Sequence, residues 1–271
     1  MNNLNVCLCP MRIKWEDKEA NLKTLGTIAS RIHPDTDLLI LPETFSTGFP
    51  AGDKEHIRPM AERSSGETIA ELKRLATRYN MAIAGSFIAD VGGSLCNRAF
   101  FIEPGDEETF ADKRHLFTMA GEHNSFSRGY ERLKVRFRGW NIAMIVCYDI
   151  RFPVWCRNVD NQYDLLIGVA NWPKVRVDAW NKLLVARAIE NESYVCGVDC
   201  LGKDLGGFEY DGSSMVIDFK GKTMASFSEN QDSDNAELPL IYASLSLEKL
   251  ESFRAKFPAW KDADSFTIEN L

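Results

Sequence analysis

Asn141 to Pro153 reads NIAMIVCYDIRFP, and the fold turns on how that apolar run ends. Ile142, Ala143, Met144, Ile145 and Val146 form an uninterrupted apolar stretch. That is the pattern of a strand covered on both faces, not of one that alternates between core and water. The stretch stops at Cys147, and Tyr148, Asp149 and Arg151 follow at once. A cysteine within such a run is a small core residue. A cysteine where a buried strand surfaces among polar groups is a candidate nucleophile. Upstream, LKVRFRGW supplies a second strand that turns into the first at Gly139.

Two other runs share this form. DLLILPE ends on Glu43 and YDLLIGVAN ends on Asn171. Strands and helical patterns interleave around them. NVCLC alternates like a strand, and MAIAGSFIAD and LCNRAFFIEP are strands joined by the turn VGGS. TFAD is strand-like and leads to Lys113. YVCGVDC, GSSMVIDFKGKTMASF and LIYASLSL are further strands, with FKGK as a hairpin turn. EANLKTLGTIASRI places Leu22, Leu25, Ala29 and Ile32 on one helical face. GETIAELKRLATRYN does the same with Ile69, Leu72, Ala76 and Tyr79, and DAWNKLLVARAIENE with Leu184, Ala188 and Ile189. SENQDSDNAELP reads as a surface loop. SLEKLESFRAKFPAW reads as a last helix with Leu247, Leu250, Phe253 and Phe257 inward, stopped by Pro258. The order argues for an α/β or α+β fold with helices covering sheet faces. There is no internal repeat and no break in composition. Residues 1–271 are therefore expected to form a single domain, with a C-terminal helix and tail over about 247–271.

The totals exclude several classes. The 271 residues are 45% apolar and 26% charged, ordinary for a globular protein, and the net charge of -7 argues against nucleic-acid binding. KRHLF and RLKVRFRGW are short basic patches that read as solvated faces. No apolar stretch approaches the roughly 20 residues of a membrane helix. The start, MNNLNVCLCP, lacks the basic-then-apolar order of a secretory signal. Seven cysteines, an odd number placed mostly in apolar runs, suggest reduced thiols in the cytoplasm rather than a disulfide framework. Cys7 with Cys9, and Cys196 with Cys200, have no histidine close in sequence to complete a zinc set. They read as core residues, and no metal is expected.

At the carboxyl ends of strands, functional groups gather where the sheet opens into a crevice. A free cysteine, with a pKa of roughly 8.5, is mostly thiol at neutral pH and needs a base or a stabilising charge to act. Pro153 suits the first turn of a helix, which would bring backbone N–H groups toward Cys147. Glu43, buried after LLILP, could take the proton. Lys113 could stabilise a thiolate and the oxyanion of a tetrahedral intermediate. Read singly, Glu43 is a carboxylate at a surface entry, Lys113 a solvated cation and Cys147 a core residue. The rival arrangement pairs Cys147 with His115, with Asn171 to orient the imidazole.

LPETFSTGF, DKRHLF with GEHNSF, and VCYDIRFP resemble the three signature segments of the nitrilase superfamily of carbon–nitrogen hydrolases. They occur in the family's order, and the resemblance covers most of the chain. ANWPKVRVDAWNKLLVARAIENESYVCGVD resembles the omega-amidase branch, which hydrolyses 2-oxoglutaramate and 2-oxosuccinamate to 2-oxo acids and ammonia. The resemblance implies Glu43 as general base, Lys113 as oxyanion stabiliser and Cys147 as a nucleophile that forms a thioester. It implies Glu122 as a second glutamate that positions groups or relays protons, with the Tyr148 N–H sharing the oxyanion hole. The implied fold is a four-layer α-β-β-α sandwich, usually paired into a dimer. The implied protein is an amidase without metal or cofactor, acting on a small-molecule amide as a homodimer or higher homo-oligomer. Asp149 and Arg151 would form an ion pair that fixes the turn. Alternatively Arg151 receives a substrate carboxylate, for which Arg176, Asn171 and Trp172 are the other candidates. A nitrilase proper, an N-carbamoyl amide hydrolase and a catalytically silent interaction protein are the competing readings.

Overall fold

The structure is a computed structural model that describes residues 2–50, 52–228 and 239–269. Most of the stretch read as a surface loop, 229–238, lies outside the described residues. In the first half of the chain β1 (Asn3–Leu8), β2 (Leu38–Ile40) and β3 (Ala82–Val91) run parallel. They are connected through α1 (Lys18–Ala29), then α2 (Lys54–Ile57) and α3 (Glu67–Tyr79). β4 (Ser94–Ile102) and β5 (Glu108–Asp112) continue this sheet, each antiparallel to its neighbour.

After α4 (Glu122–Ser125) a second sheet follows the same plan. β6 (Leu133–Phe137) lies antiparallel to β7 (Trp140–Val146). Through α5 (Pro153–Cys156), β8 (Leu165–Ala170), α6 (Val177–Asn191) and β9 (Tyr194–Asp199) the chain builds three parallel strands. A ribbon of β10 (Leu201–Lys203) and β11 (Glu209–Asp211) precedes β12 (Ser214–Ile217) and β13 (Thr223–Phe227), which are antiparallel additions. β14 (Ile241–Ser246) returns to the first sheet beside β1, and α7 (Leu247–Lys256) follows. The orders β14-β1-β2-β3-β4-β5 and β6-β7-β8-β9-β12-β13 thus share one pattern. An antiparallel edge strand is followed by three parallel strands and two antiparallel ones. The sequence carries no trace of this as a repeat.

The apolar runs are continuous because both faces of each sheet are covered. Val6, Leu8, Leu38 and Ile40 share one cluster with Ile142, Met144, Leu165 and Ile167, which places the two sheets face to face. The alternate residues Cys7, Leu39 and Ile83 point outward onto Leu22, Leu25 and Ile28 of α1 and Ile69 and Leu72 of α3. On the other side Ile145, Leu166 and Val195 meet Trp180, Leu184 and Ala188 of α6. The result is the expected helix–sheet–sheet–helix stack. α6 approaches closely because Gly168 and Gly197 are register partners beneath it. A Cβ on Gly197 would lie 2.3 Å from Leu184 Cδ1.

Local signals set the boundaries. Asp17 caps α1 by accepting from the Ala20 N–H, and Asn80 ends α3 in the left-handed region at φ 50°. Gly92 and Gly93, at φ 60° and 91°, make the tight turn between β3 and β4. Three apolar expectations fall differently. Ile32 lies beyond the end of α1, though it still packs on the outer cluster. Ile189 is 54% exposed, because Trp180, Leu184 and Ala188 already occupy the inward row and Ile189 is one step round the helix. Phe257 is 58% exposed, because α7 stops at Lys256 ahead of Pro258. Cys7, Cys9, Cys196 and Cys200 are buried core residues. Among the described residues no helix is long and apolar enough to cross a membrane.

Candidate active site

The carboxyl ends of the parallel strands from both sheets converge. β2 extends through Leu41, whose N–H donates to Ala84 O, and Pro42 brings the chain to Glu43. Thr44 follows at φ 42°, a costly value for a β-branched residue, and its N–H is fixed on Ser86 Oγ at 2.8 Å. Glu43 is 1% exposed. Lys113 follows β5 and is anchored by its N–H on Asn97 O at 2.8 Å. Its Nζ lies 3.0 Å from Glu43 Oε1 and 3.0 Å from each oxygen of Glu122. Glu122 starts α4 and is itself buried, and its Oε2 also accepts from the Phe117 N–H at 2.5 Å. Glu43, Lys113 and Glu122 therefore form one buried charged chain.

Cys147 comes directly after β7 with φ 47°, in the left-handed region, and opens a five-residue 3-10 turn, Cys147–Arg151. Pro153 does occupy the first turn of α5. That helix is separated from Cys147 by the turn. Asp149 shapes the turn by accepting from the Val146 N–H at 3.1 Å through Oδ2. Its Oδ1 takes the His115 N–H at 2.9 Å and the His115 Nδ1 at 2.8 Å. The expected Asp149–Arg151 ion pair is thus replaced by a clip from the Cys147 turn to the Lys113 loop. His115 is also stacked on Phe152, with centroids 3.7 Å apart, so the imidazole of the Cys147–His115 rival is engaged elsewhere.

The charges set the resting state. Burial, then the Glu43 carboxylate, push the Cys147 thiol well above the ordinary cysteine range against the opposing pull of Lys113. Cys147 is accordingly a neutral thiol in contact with Glu43. Burial alone would lower Lys113, but the charges of Glu122 and Glu43 outweigh it and hold the ammonium above its usual range. Burial raises Glu122, with Lys113 opposing.

Asn171, at the end of β8, donates its N–H to Glu43 Oε2 at 2.8 Å and its Nδ2 to Thr44 Oγ1 at 2.9 Å. A cavity of about 370 Å³ is lined by Cys147, Tyr148, Asn171, Trp172, Arg151 and Arg176, with Phe117 among its walls. All five substrate-side candidates thus line the same cavity as Cys147. Arg151 lies over the Trp172 ring at 4.9 Å and Arg176 over the Phe117 ring at 5.4 Å, both exposed. Trp172 Nε1 donates to Arg176 O at 2.8 Å.

Two buried polar residues escaped the sequence reading. Asp199 ends β9 and accepts from the Trp172 N–H at 2.7 Å, holding the Asn171–Trp172 corner. Burial raises its carboxyl well above the usual range. The strand-end rule that found Glu43, Cys147 and Asn171 would have found it too. Asn97 lies inside β4, 0% exposed, and donates Nδ2 to Glu43 Oε1 at 2.7 Å. A polar residue within the apolar LCNRAFF was its only signal.

Comparison with known proteins gives a consistent picture. The sequence model for Carbon-nitrogen hydrolase matches residues 5–255. Omega-amidase YafV of Escherichia coli K12 is 39% identical over 99% of this chain and 100% of its own length. The 2-oxoglutaramate amidase of Bacillus subtilis is 27% identical over 92% of this chain and 93% of its own. The crystal structure of XC1258 from Xanthomonas campestris, a CN-hydrolase superfamily protein with an arsenic adduct in its active site, superposes with a TM-score of 0.92. It is 37% identical, covering 99% of this chain and 100% of that one.

Proposed function

The chain belongs to the carbon–nitrogen hydrolase family and is an amidase-type hydrolase, and from that premise we propose that it is an omega-amidase. It cleaves the terminal amide of small 2-oxo acid monoamides, 2-oxoglutaramate and 2-oxosuccinamate, to 2-oxo acid and ammonia. Cys147 gives its proton to Glu43 as sulfur attacks the amide carbon. The oxyanion is received by Lys113 Nζ and the Tyr148 N–H. Collapse breaks the C–N bond, the Glu43 proton leaves with ammonia, and a thioester remains. Water, deprotonated by Glu43, adds to the thioester, and its collapse returns the proton to the sulfur. Glu122 holds the Lys113 ammonium in place throughout.

The observation that carries this reading is the Cys147 thiol set between the Glu43–Lys113–Glu122 chain and a cavity bearing two cations, Arg151 and Arg176. Those cations suit the carboxylate at the far end of such a substrate. The names of the two amidase relatives point the same way. We take residues 1–271 as a single domain acting in the cytoplasm, which suits seven free cysteines. We also take it as a homodimer or higher homo-oligomer, with exposed Phe257 and Phe266 as apolar surface for pairing.

The test is ammonia release from 2-oxoglutaramate by the wild type, Cys147→Ala and Arg151→Ala. Turnover is expected to vanish in the first variant. In the second, KM is expected to rise about tenfold, the loss of one charge-assisted contact. Full activity of Cys147→Ala would sink the thiol mechanism, and an unchanged KM would remove Arg151 from carboxylate binding.

A further inference from the structure

We infer that Asn97 is the positioning residue that holds Glu43 while it carries a proton, and that the proton travels on Oε2 alone. The inference rests on the reading of Glu43 as the base. Each carboxylate oxygen has two acceptor sites. Oε1 is filled by Asn97 Nδ2 at 2.7 Å and Lys113 Nζ at 3.0 Å. Among the described residues Oε2 takes one donor, the Asn171 N–H at 2.8 Å, and keeps one site open. Only Oε2 can therefore accept a proton without a bond to Glu43 being broken.

The two donors on Oε1 respond differently once that proton arrives. The Lys113 bond is an ion pair, and it loses most of its attraction when Glu43 becomes neutral. Lys113 remains paired with both oxygens of Glu122 and can turn toward the oxyanion. The Asn97 amide is neutral, so its bond to Oε1 persists in either state. Without it, Oε1 keeps only the weakened Lys113 contact, and the protonated carboxyl can rotate about its last bond and present the proton away from the departing nitrogen.

The placement of Asn97 argues against a merely structural role for its amide. The strand pairing of β4 at this position uses backbone, Asn97 O accepting from the Lys113 N–H. The side chain donates to Glu43, which fixes its orientation, because a carboxylate offers only acceptors. Its other end, Oδ1, is buried with no partner among the described residues. A buried acceptor left in that state weakens a fold. Asn97 is 0% exposed and meets the site through Glu43, so its loss should not disturb substrate binding.

The test compares the wild type, Cys147→Ala, Asn97→Leu and Asn97→Asp on 2-oxoglutaramate, with urea unfolding alongside. Asn97→Leu keeps the volume and removes both polar ends. It is expected to lose about 10²-fold in kcat, the scale of a slightly misplaced reacting group, with KM within twofold and an unfolding midpoint no lower than the wild type. Asn97→Asp is isosteric but sets a second carboxyl against Glu43, and the pair holds one proton between them, so it is expected to be as slow at neutral pH. Its pH profile should depart from the wild type, because the shared proton makes the pair titrate as a unit. Wild-type kcat in Asn97→Leu beside an inactive Cys147→Ala would overturn the inference and leave the thiol mechanism standing. So would a joint fall of kcat and unfolding midpoint, or an Asn97→Asp profile parallel to the wild type. An active Cys147→Ala would instead remove the thiol reading, and the inference with it.

Discussion

At Cys147 the surroundings oppose ionisation. Burial and the Glu43 charge outweigh Lys113, so the folded-state pKa is raised above that of an unfolded cysteine and the neutral form is favoured. The sign has a consequence for reactivity. The thiolate fraction is small at neutral pH and grows about tenfold per unit as pH rises, until the raised pKa is reached. An uncharged disulfide reagent should therefore modify Cys147 more slowly at pH 7 than it modifies a free thiol. The rate should climb without a plateau through pH 9, with the other six cysteines protected by burial. A plateau below pH 8, read by mass spectrometry of the labelled peptide, would indicate a resting thiolate and contradict the charge balance. This behaviour was not legible in NIAMIVCYDIRFP alone. The run marked the end of a strand and a candidate nucleophile. The sign of the shift depends on Glu43 and Lys113, brought in by other strands.

Elements place those residues, and α6 shows how tightly. Its inward row rests on Gly168 and Gly197, and its Arg187 reaches Ile150 O in the Cys147 turn through Nε at 3.0 Å and Nη2 at 2.6 Å. Gly197→Ala would force Leu184 and the helix outward. The expected cost is about 1–3 kcal/mol of stability, typical of overpacking, with a fall in kcat because the Arg187 anchor moves with the helix. Urea unfolding and steady-state rates on one preparation check both, and an unaltered midpoint would mean that Leu184 simply swings aside. Periodicity gave α1, α3, α6 and α7 to within a few residues and every long strand, because covered sheets leave continuous apolar runs. Periodicity did not reveal α2, α4 or the ribbon of β10 and β11, which are too short to carry a period. Nor could it foresee Asp149 choosing His115 over Arg151, since that partner is 34 residues away in sequence.

For the molecule as a whole, the last segment joins the two sheets. β14 pairs with β1 in the first, and α7 sends Arg254 to Asp164 beside β8 in the second, at 2.7 Å. Arg254 also donates to Tyr163 O and Glu192 O and is only 8% exposed. Arg254→Ala should cost about 3–5 kcal/mol, because it leaves Asp164 buried without its counter-charge. Arg254→Ala combined with Asp164→Asn should recover part of that loss. Chemical denaturation of the single and double variants measures it, and a single-variant loss below about 1 kcal/mol would mean that water reaches Asp164. The layered α/β class was within reach of the sequence, and the stacking of two like-built sheets was carried only by the family resemblance. Their shared strand order leaves no mark on side-chain identity, because parallel strands need only be apolar.

That two-part construction divides the proposed catalytic set between halves of the polypeptide. Glu43, Asn97, Lys113 and Glu122 all precede β6, whereas Cys147, Asn171 and both cavity arginines follow it. A chain cut between Ser125 and Leu133 would yield one fragment with the carboxylates and lysine and another with the sulfur, each incomplete. Turnover would then report reassociation of the fragments, which makes the connection ahead of β6 a natural breakpoint for a split-enzyme complementation reporter.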